Sequence, residues 1–205
     1  MTETKTTLPK PQLILDVGGV LLTNLSPGFW TELAETSIVP YETLRASYKQ
    51  EVRDGLWSGA ITELQFWQWA AKHIPELTPE DGRQLILKHL IRLPAVEQLQ
   101  AWSRMADIHI LSNHREEWLS PKLADIRQSI TSWTVSSESG SFKPNMPIYE
   151  KAAAQLAGPG PILFVDDSRA NLAQAHKLGW STLWADPDSV WIESVVPLLN
   201  GMLRT

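Results

Sequence analysis

The 205-residue chain contains no cysteine, which excludes disulfides, thiolate catalysis and Cys-type zinc sites. Positive charge is also scarce. Lys and Arg number 18 against 23 Asp and Glu, and the net charge of -5 gives no support to nucleic acid or an anionic membrane as a partner. No apolar run reaches membrane-spanning length. Residues 1–10 lack the apolar core of a signal peptide, so the expected compartment is cytoplasmic. The five histidines are scattered without metal-ligand spacing, and neither an internal repeat nor a low-complexity segment is visible. What remains is a chain with 43% hydrophobic and 20% charged residues, long enough for one domain or a core carrying an insertion.

Against that background the run Leu13-Ile14-Leu15-Asp16-Val17-Gly18-Gly19 stands out. Three apolar residues suit a strand buried on both faces, and the glycines let the backbone turn sharply and approach a ligand. A carboxylate at such a strand end lies where α/β sheets bind ligands, and it can act as a nucleophile. Two later runs have the same form. Ile108 to Leu111 leads into Ser112-Asn113, and Ile162 to Val165 leads into Asp166-Asp167-Ser168, with Lys143-Pro144 between them.

This ordered set resembles the haloacid dehalogenase (HAD) superfamily, over about residues 13–184. The resemblance implies nucleophilic Asp16 and phosphate-binding Ser112, Asn113 and Lys143. It further implies Mg2+ held by Asp16, the carbonyl of Gly18 and Asp167, with Asp166 in support and Asn171 orienting the acidic loop. Independently of any family, three carboxylates converging in one small volume call for a hard divalent cation, which magnesium supplies with oxygen ligands. The expected activity is a magnesium-dependent phosphatase acting on a small phosphorylated metabolite, such as a sugar phosphate, through an aspartyl-phosphate. The alternatives are a catalytically weakened phospho-ligand binder and a 2-haloacid dehalogenase. Monomer and homodimer are both open.

Residues 1–11 read as a flexible leader, and successive helices are expected over 29–35, 41–54, 62–73 and 78–92, with Thr62 and Thr78 as N-caps. From residue 94 helix and strand alternate, which argues for a parallel sheet with helices on both faces. The expected fold is therefore an α/β, Rossmann-like core over 12–24 and 93–205. By the resemblance, the helical block 25–92 is an inserted cap of the subfamily I kind, with substrate between cap and core.

One position departs from the superfamily pattern. Gly18 stands where most phosphatases of this kind carry a second aspartate that protonates the leaving alcohol, and the Asp-Val-Gly-Gly-Val form is similar to a subgroup that includes sugar-1-phosphate phosphatases. His114 and the pair Arg53-Asp54 are the candidate substitutes. A positive φ at Gly18 would strain any Cβ placed there. Of the 10 tryptophans, Trp57, Trp67 and Trp69 fall in the cap, and Trp67 and Trp69 cannot share a helix face; one that faced the cleft would stack on a sugar ring, whereas burial in the cap's own core is the commoner fate.

Overall fold

The computed structural model describes residues 9–203, so most of the expected leader lies outside the described residues. Strand β1 (Gln12–Leu15) is followed by five helices: α1 (Gly28–Glu35), α2 (Tyr41–Glu51), α3 (Arg53–Ser58), α4 (Glu63–Ala70) and α5 (Pro79–His89). A 3-10 turn then runs into α6 (Leu99–Trp102), β2 (Asp107–Ser112), α7 (Glu116–Leu123), β3 (Ser132–Val135), the short α8 (Ser136–Ser139) and α9 (Met146–Ala153). β4 (Ile162–Asp166), α10 (Arg169–Lys177), β5 (Ser181–Trp184) and α11 (Ile192–Met202) complete the chain.

The five strands form one parallel sheet in the order β3-β2-β1-β4-β5. β1 lies at its centre, so each of its residues is fully buried, and alternation sends Leu13 and Leu15 to one face and Ile14 to the other. Buried Gln12 is satisfied by accepting from Ala157 N at 3.1 Å and donating to the Lys10 carbonyl at 2.8 Å. Lys10 is itself tied down at 3.0 Å from Asp107. The chain passes from β1 out to β3, then returns to the opposite side of β1 for β4 and β5. That reversal makes the carboxyl ends of β1, β2 and β4 the crevice of the sheet.

The helical cap is inserted between β1 and β2. Where the chain leaves and re-enters the core it pairs with itself, Thr23 N donating to Ile91 O at 2.8 Å and Leu93 N to Leu21 O at 2.9 Å. Thr62 closes a full capping box with Gln65, and Thr78 accepts from Asp81 N. The helix expected over 41–54 is two helices, because β-branched Val52 leaves the helical basin at φ -132° and α3 restarts from it. α7 likewise stops at Leu123 and continues as 3-10 turns, and α8 has no counterpart in the hydrophobic pattern. Among the described residues no helix is long and apolar enough to cross a membrane.

Candidate active site

Parallel register sets the site. Leu15 is level with Ile110 on β2 and Val165 on β4, so Asp16, Ser112 and Asp166 emerge at neighbouring strand ends. Lys143 arrives from the loop before α9, buried to 2% exposure, and its Nζ donates to Asp16 Oδ2 at 2.9 Å and Asp166 Oδ2 at 2.6 Å. Burial works against the ammonium, but the two carboxylates outweigh it and hold the Lys143 pKa above its ordinary value. Burial pushes the Asp166 pKa up, against the pull of Lys143.

A frame of hydrogen bonds holds these groups. The Asn113 side chain clamps the Lys143 backbone, donating to its carbonyl at 2.8 Å and accepting from its N–H at 2.7 Å. Asn171 Nδ2 donates to both Asp166 oxygens at 3.0 and 3.1 Å, and the Tyr149 hydroxyl fixes the Asn171 carbonyl. Asn171 thus aims Asp166, and Asn113 aims Lys143. Asp16 Oδ1 accepts from Val17 N at 2.6 Å. Ser112 is buried at the end of β2.

The turn after Asp16 explains its glycines. Positive φ falls on Gly19, at 69°, and Gly18 lies outside that region, contrary to the strain expected there. A Cβ on Gly19 would lie 2.3 Å from Asp167 Oδ2, so only glycine lets this turn pass the acidic loop. A Cβ on Gly18 would instead meet Asn24 Oδ1 at 2.7 Å. Asn24 also donates to Asp167 Oδ2 at 2.7 Å, a role with no motif to mark it in the sequence. Burial raises the Asp167 pKa although Asn24 opposes it.

Oxygens of Asp16, Asp166 and Asp167 all lie within 4.8 Å of one another. An all-oxygen donor set carrying more negative charge than one lysine neutralises fits a hard divalent cation.

A cavity of about 610 Å3 opens above these groups, within the range of small-molecule sites. Asp16, Gly18, Lys143 and Asp167 line it from the core, and the cap contributes Trp30, Arg45, Tyr48, Lys49, Arg53 and Trp57. Trp67 and Trp69 are both buried, at 1% and 3% exposure, because α4 is enclosed on two sides. Trp67 packs near Trp118 and Trp69 near Tyr48, so both take the commoner fate of burial in the cap and neither is free to stack on a ligand.

His114 lines the cavity between Trp57 and Trp118, at 5.7 and 5.8 Å between ring centres, with its Nδ1 buried and unpartnered. Burial pulls its pKa down to about 4. It is neutral at neutral pH, so it is not a stored proton donor. Asp54 is exposed, bonded to Arg53 at 2.7 Å, and does not line the cavity.

No protein-family model matches the chain, and no curated protein sequence does either. Solved structures do share its fold. A HAD family enzyme from Bacteroides thetaiotaomicron, in complex with magnesium and inorganic phosphate, superposes with a TM-score of 0.78 at 17% identity, covering 91% of this chain and 100% of its own. A predicted HAD-like family hydrolase from Porphyromonas gingivalis gives 0.75 at 22% identity, covering 94% and 98%. A dehalogenase gives 0.61 at 21% identity, covering 97% and 98%. The chain therefore has the Rossmann-like HAD fold with a helical cap.

Proposed function

We propose that this chain is a HAD hydrolase: a magnesium-dependent phosphatase that transfers the phosphoryl group of a small metabolite, such as a sugar phosphate, to Asp16. The observation that carries this reading is the buried Lys143 ammonium lodged between Asp16 and Asp166, with Asp167 converging on the same volume. A site for attack on a neutral carbon has no use for so many carboxylates, whereas phosphoryl transfer needs positive charge and a metal together. The Bacteroides enzyme of the same fold, solved with magnesium and inorganic phosphate, supports the choice.

Asp16 and Asp167, with the Gly18 carbonyl, would hold the ion, which when bound neutralises the carboxylates and the incoming phosphate. An Asp16 oxygen then forms a bond to phosphorus as the bond from phosphorus to the substrate oxygen breaks. Lys143, with Ser112 and the Asn113 segment, holds the transferring group through charge-assisted hydrogen bonds. The departing oxygen takes a proton from solvent. Water next attacks phosphorus, phosphate leaves, and the Asp16 carboxylate is restored.

Without an acid at Gly18 the departing oxygen must leave largely as an anion, so anomeric and aryl phosphates are the favoured substrates. Rates should fall steeply as the leaving-group pKa rises. Gly18→Asp should flatten that slope, with a gain of at most about 10² to 10⁴ on alkyl phosphates. Part of the gain is lost because the new side chain must displace Asn24 from Asp167. An unchanged slope would refute the leaving-group account.

The same missing acid is what favours the second reading, a phospho-ligand binder with little turnover. Asp16→Asn separates the two. A phosphatase loses magnesium-dependent release of phosphate from an aryl phosphate by at least about 10³-fold while staying folded. A binder shows no release in either form.

A further inference from the structure

The cap side of the cavity carries charge of the opposite sign to the strand ends. Arg45 and Lys49 lie one turn apart on α2, Arg53 follows four residues later at the start of α3, and all three line the cavity. Like charges at this spacing repel, so the row disfavours the helix unless a counter-charge is present. Among the described residues Arg53 pairs only with its exposed neighbour Asp54. Among the described residues the side chains of Arg45 and Lys49 form no ion pair or hydrogen bond, although both sit within the hydrogen-bonded backbone of α2.

Arg45 is nevertheless held in place. Its guanidinium lies 4.4 Å from the centre of the Trp30 ring and 5.4 Å from that of Tyr48. Tyr48 and Trp30 are themselves in contact, 4.3 Å between ring centres, and both are buried. Stacking engages the face of the guanidinium and leaves its in-plane N–H donors for an oxyanion. Lys49 adds a second cation one turn away. The transferred phosphate is already served by Lys143 and the strand ends, so these cap cations are not needed for it.

We infer that Arg45 and Lys49 form a second anion subsite, and that the substrate carries a further anionic group, phosphate or carboxylate, on the end remote from the phosphoryl group given to Asp16. The inference rests on the phosphatase reading for which end of the substrate reacts, but not for the binding itself.

Two probe pairs test it, each with a good leaving group at the reacting end: glucose 1,6-bisphosphate against glucose 1-phosphate, and 4-carboxyphenyl phosphate against phenyl phosphate. With magnesium, the two-anion member of at least one pair should show kcat/KM about ten- to a hundred-fold higher, mostly through KM. Which pair responds tells a phosphate partner from a carboxylate. In folded Arg45→Gln/Lys49→Gln protein the preference should collapse toward unity, and in the wild type it should weaken as salt is raised. The same ratio in both proteins would overturn the subsite. Calorimetry on Asp16→Asn with the same probes separates the two ideas. Tighter binding of the two-anion member there, without turnover of any probe or aryl phosphate by the wild type, leaves the subsite standing and the phosphatase reading refuted. Equal binding of both members refutes the subsite whatever the turnover.

Discussion

The strand ends and the cap bury polar groups under opposite rules. At the strand ends Lys143 pairs with Asp16 and Asp166 while Asp167, in the same cluster, has no cation partner among the described residues, so the charge is left incompletely balanced and the balance falls to a ligand. Inside the cap the one buried carboxylate, Glu63, is saturated. It accepts from Trp67 Nε1 at 3.1 Å and Trp118 Nε1 at 2.8 Å and pairs with Arg83. Burial alone would raise its pKa, but Arg83, Trp118 and Trp67 outweigh it and hold the group below the ordinary carboxylate value. The difference separates a charge kept for chemistry from a charge kept for architecture. Trp118 belongs to α7 of the core, so Glu63 also ties the cap to the sheet, as does Arg115, whose Nη1 donates to the carbonyls of Leu56 and Ile61 at 3.0 and 2.9 Å.

The largest expected effect breaks the saturated side. Glu63→Ala leaves two buried indole N–H groups without an acceptor and should cost about 3 to 4 kcal/mol in urea unfolding. A loss below about 1 kcal/mol would show that the carboxylate does not tie cap to core.

Next in size is the pH response of His114, which borders both regions. Its folded pKa near 4 lies below its unfolded value, so the folded chain binds fewer protons between about pH 6.5 and 4. The stability it contributes is present above pH 6.5 and is lost as pH falls toward 4, by about 3 kcal/mol at full extent. The gap between wild type and His114→Phe should shift across that window. A constant gap would mean that folding does not lower the His114 pKa.

Smallest is the effect on selectivity. Trp57 lines the cavity, whereas Trp67 is packed under Gly82 and beside Trp118. Trp57→Ala should change discrimination between sugar phosphates and a small aryl phosphate by about tenfold. Trp67→Ala should lower the melting temperature instead. Interchanged outcomes would mean that the cavity wall is drawn wrongly.

Legibility in the sequence follows the same division. β1, β2 and β4 are buried on both faces and end in polar groups, so their apolar runs revealed both the sheet and the positions of Asp16, Ser112 and Asp166. Asn24 and Arg45 could not be found that way, since their roles depend on how a turn and a helix face are packed in three dimensions. Trp67 and Trp69 show the same limit: helical periodicity assumes one buried face, and α4 buries both of these residues on more than one. Asn113 is expected to bind phosphate, yet its side-chain amide is engaged with the Lys143 backbone, a contact across 30 residues that no local pattern encodes.

The central claim is that Asp16 receives the phosphoryl group. Rapid acid quench of the wild type turning over an aryl phosphate with magnesium, followed by peptide mass analysis, tests it most directly. The account predicts one phosphoryl group on the peptide bearing Asp16, formed before phosphate is released and absent without the metal. Steady phosphate release with no label on Asp16, or a label on any other residue, would contradict it.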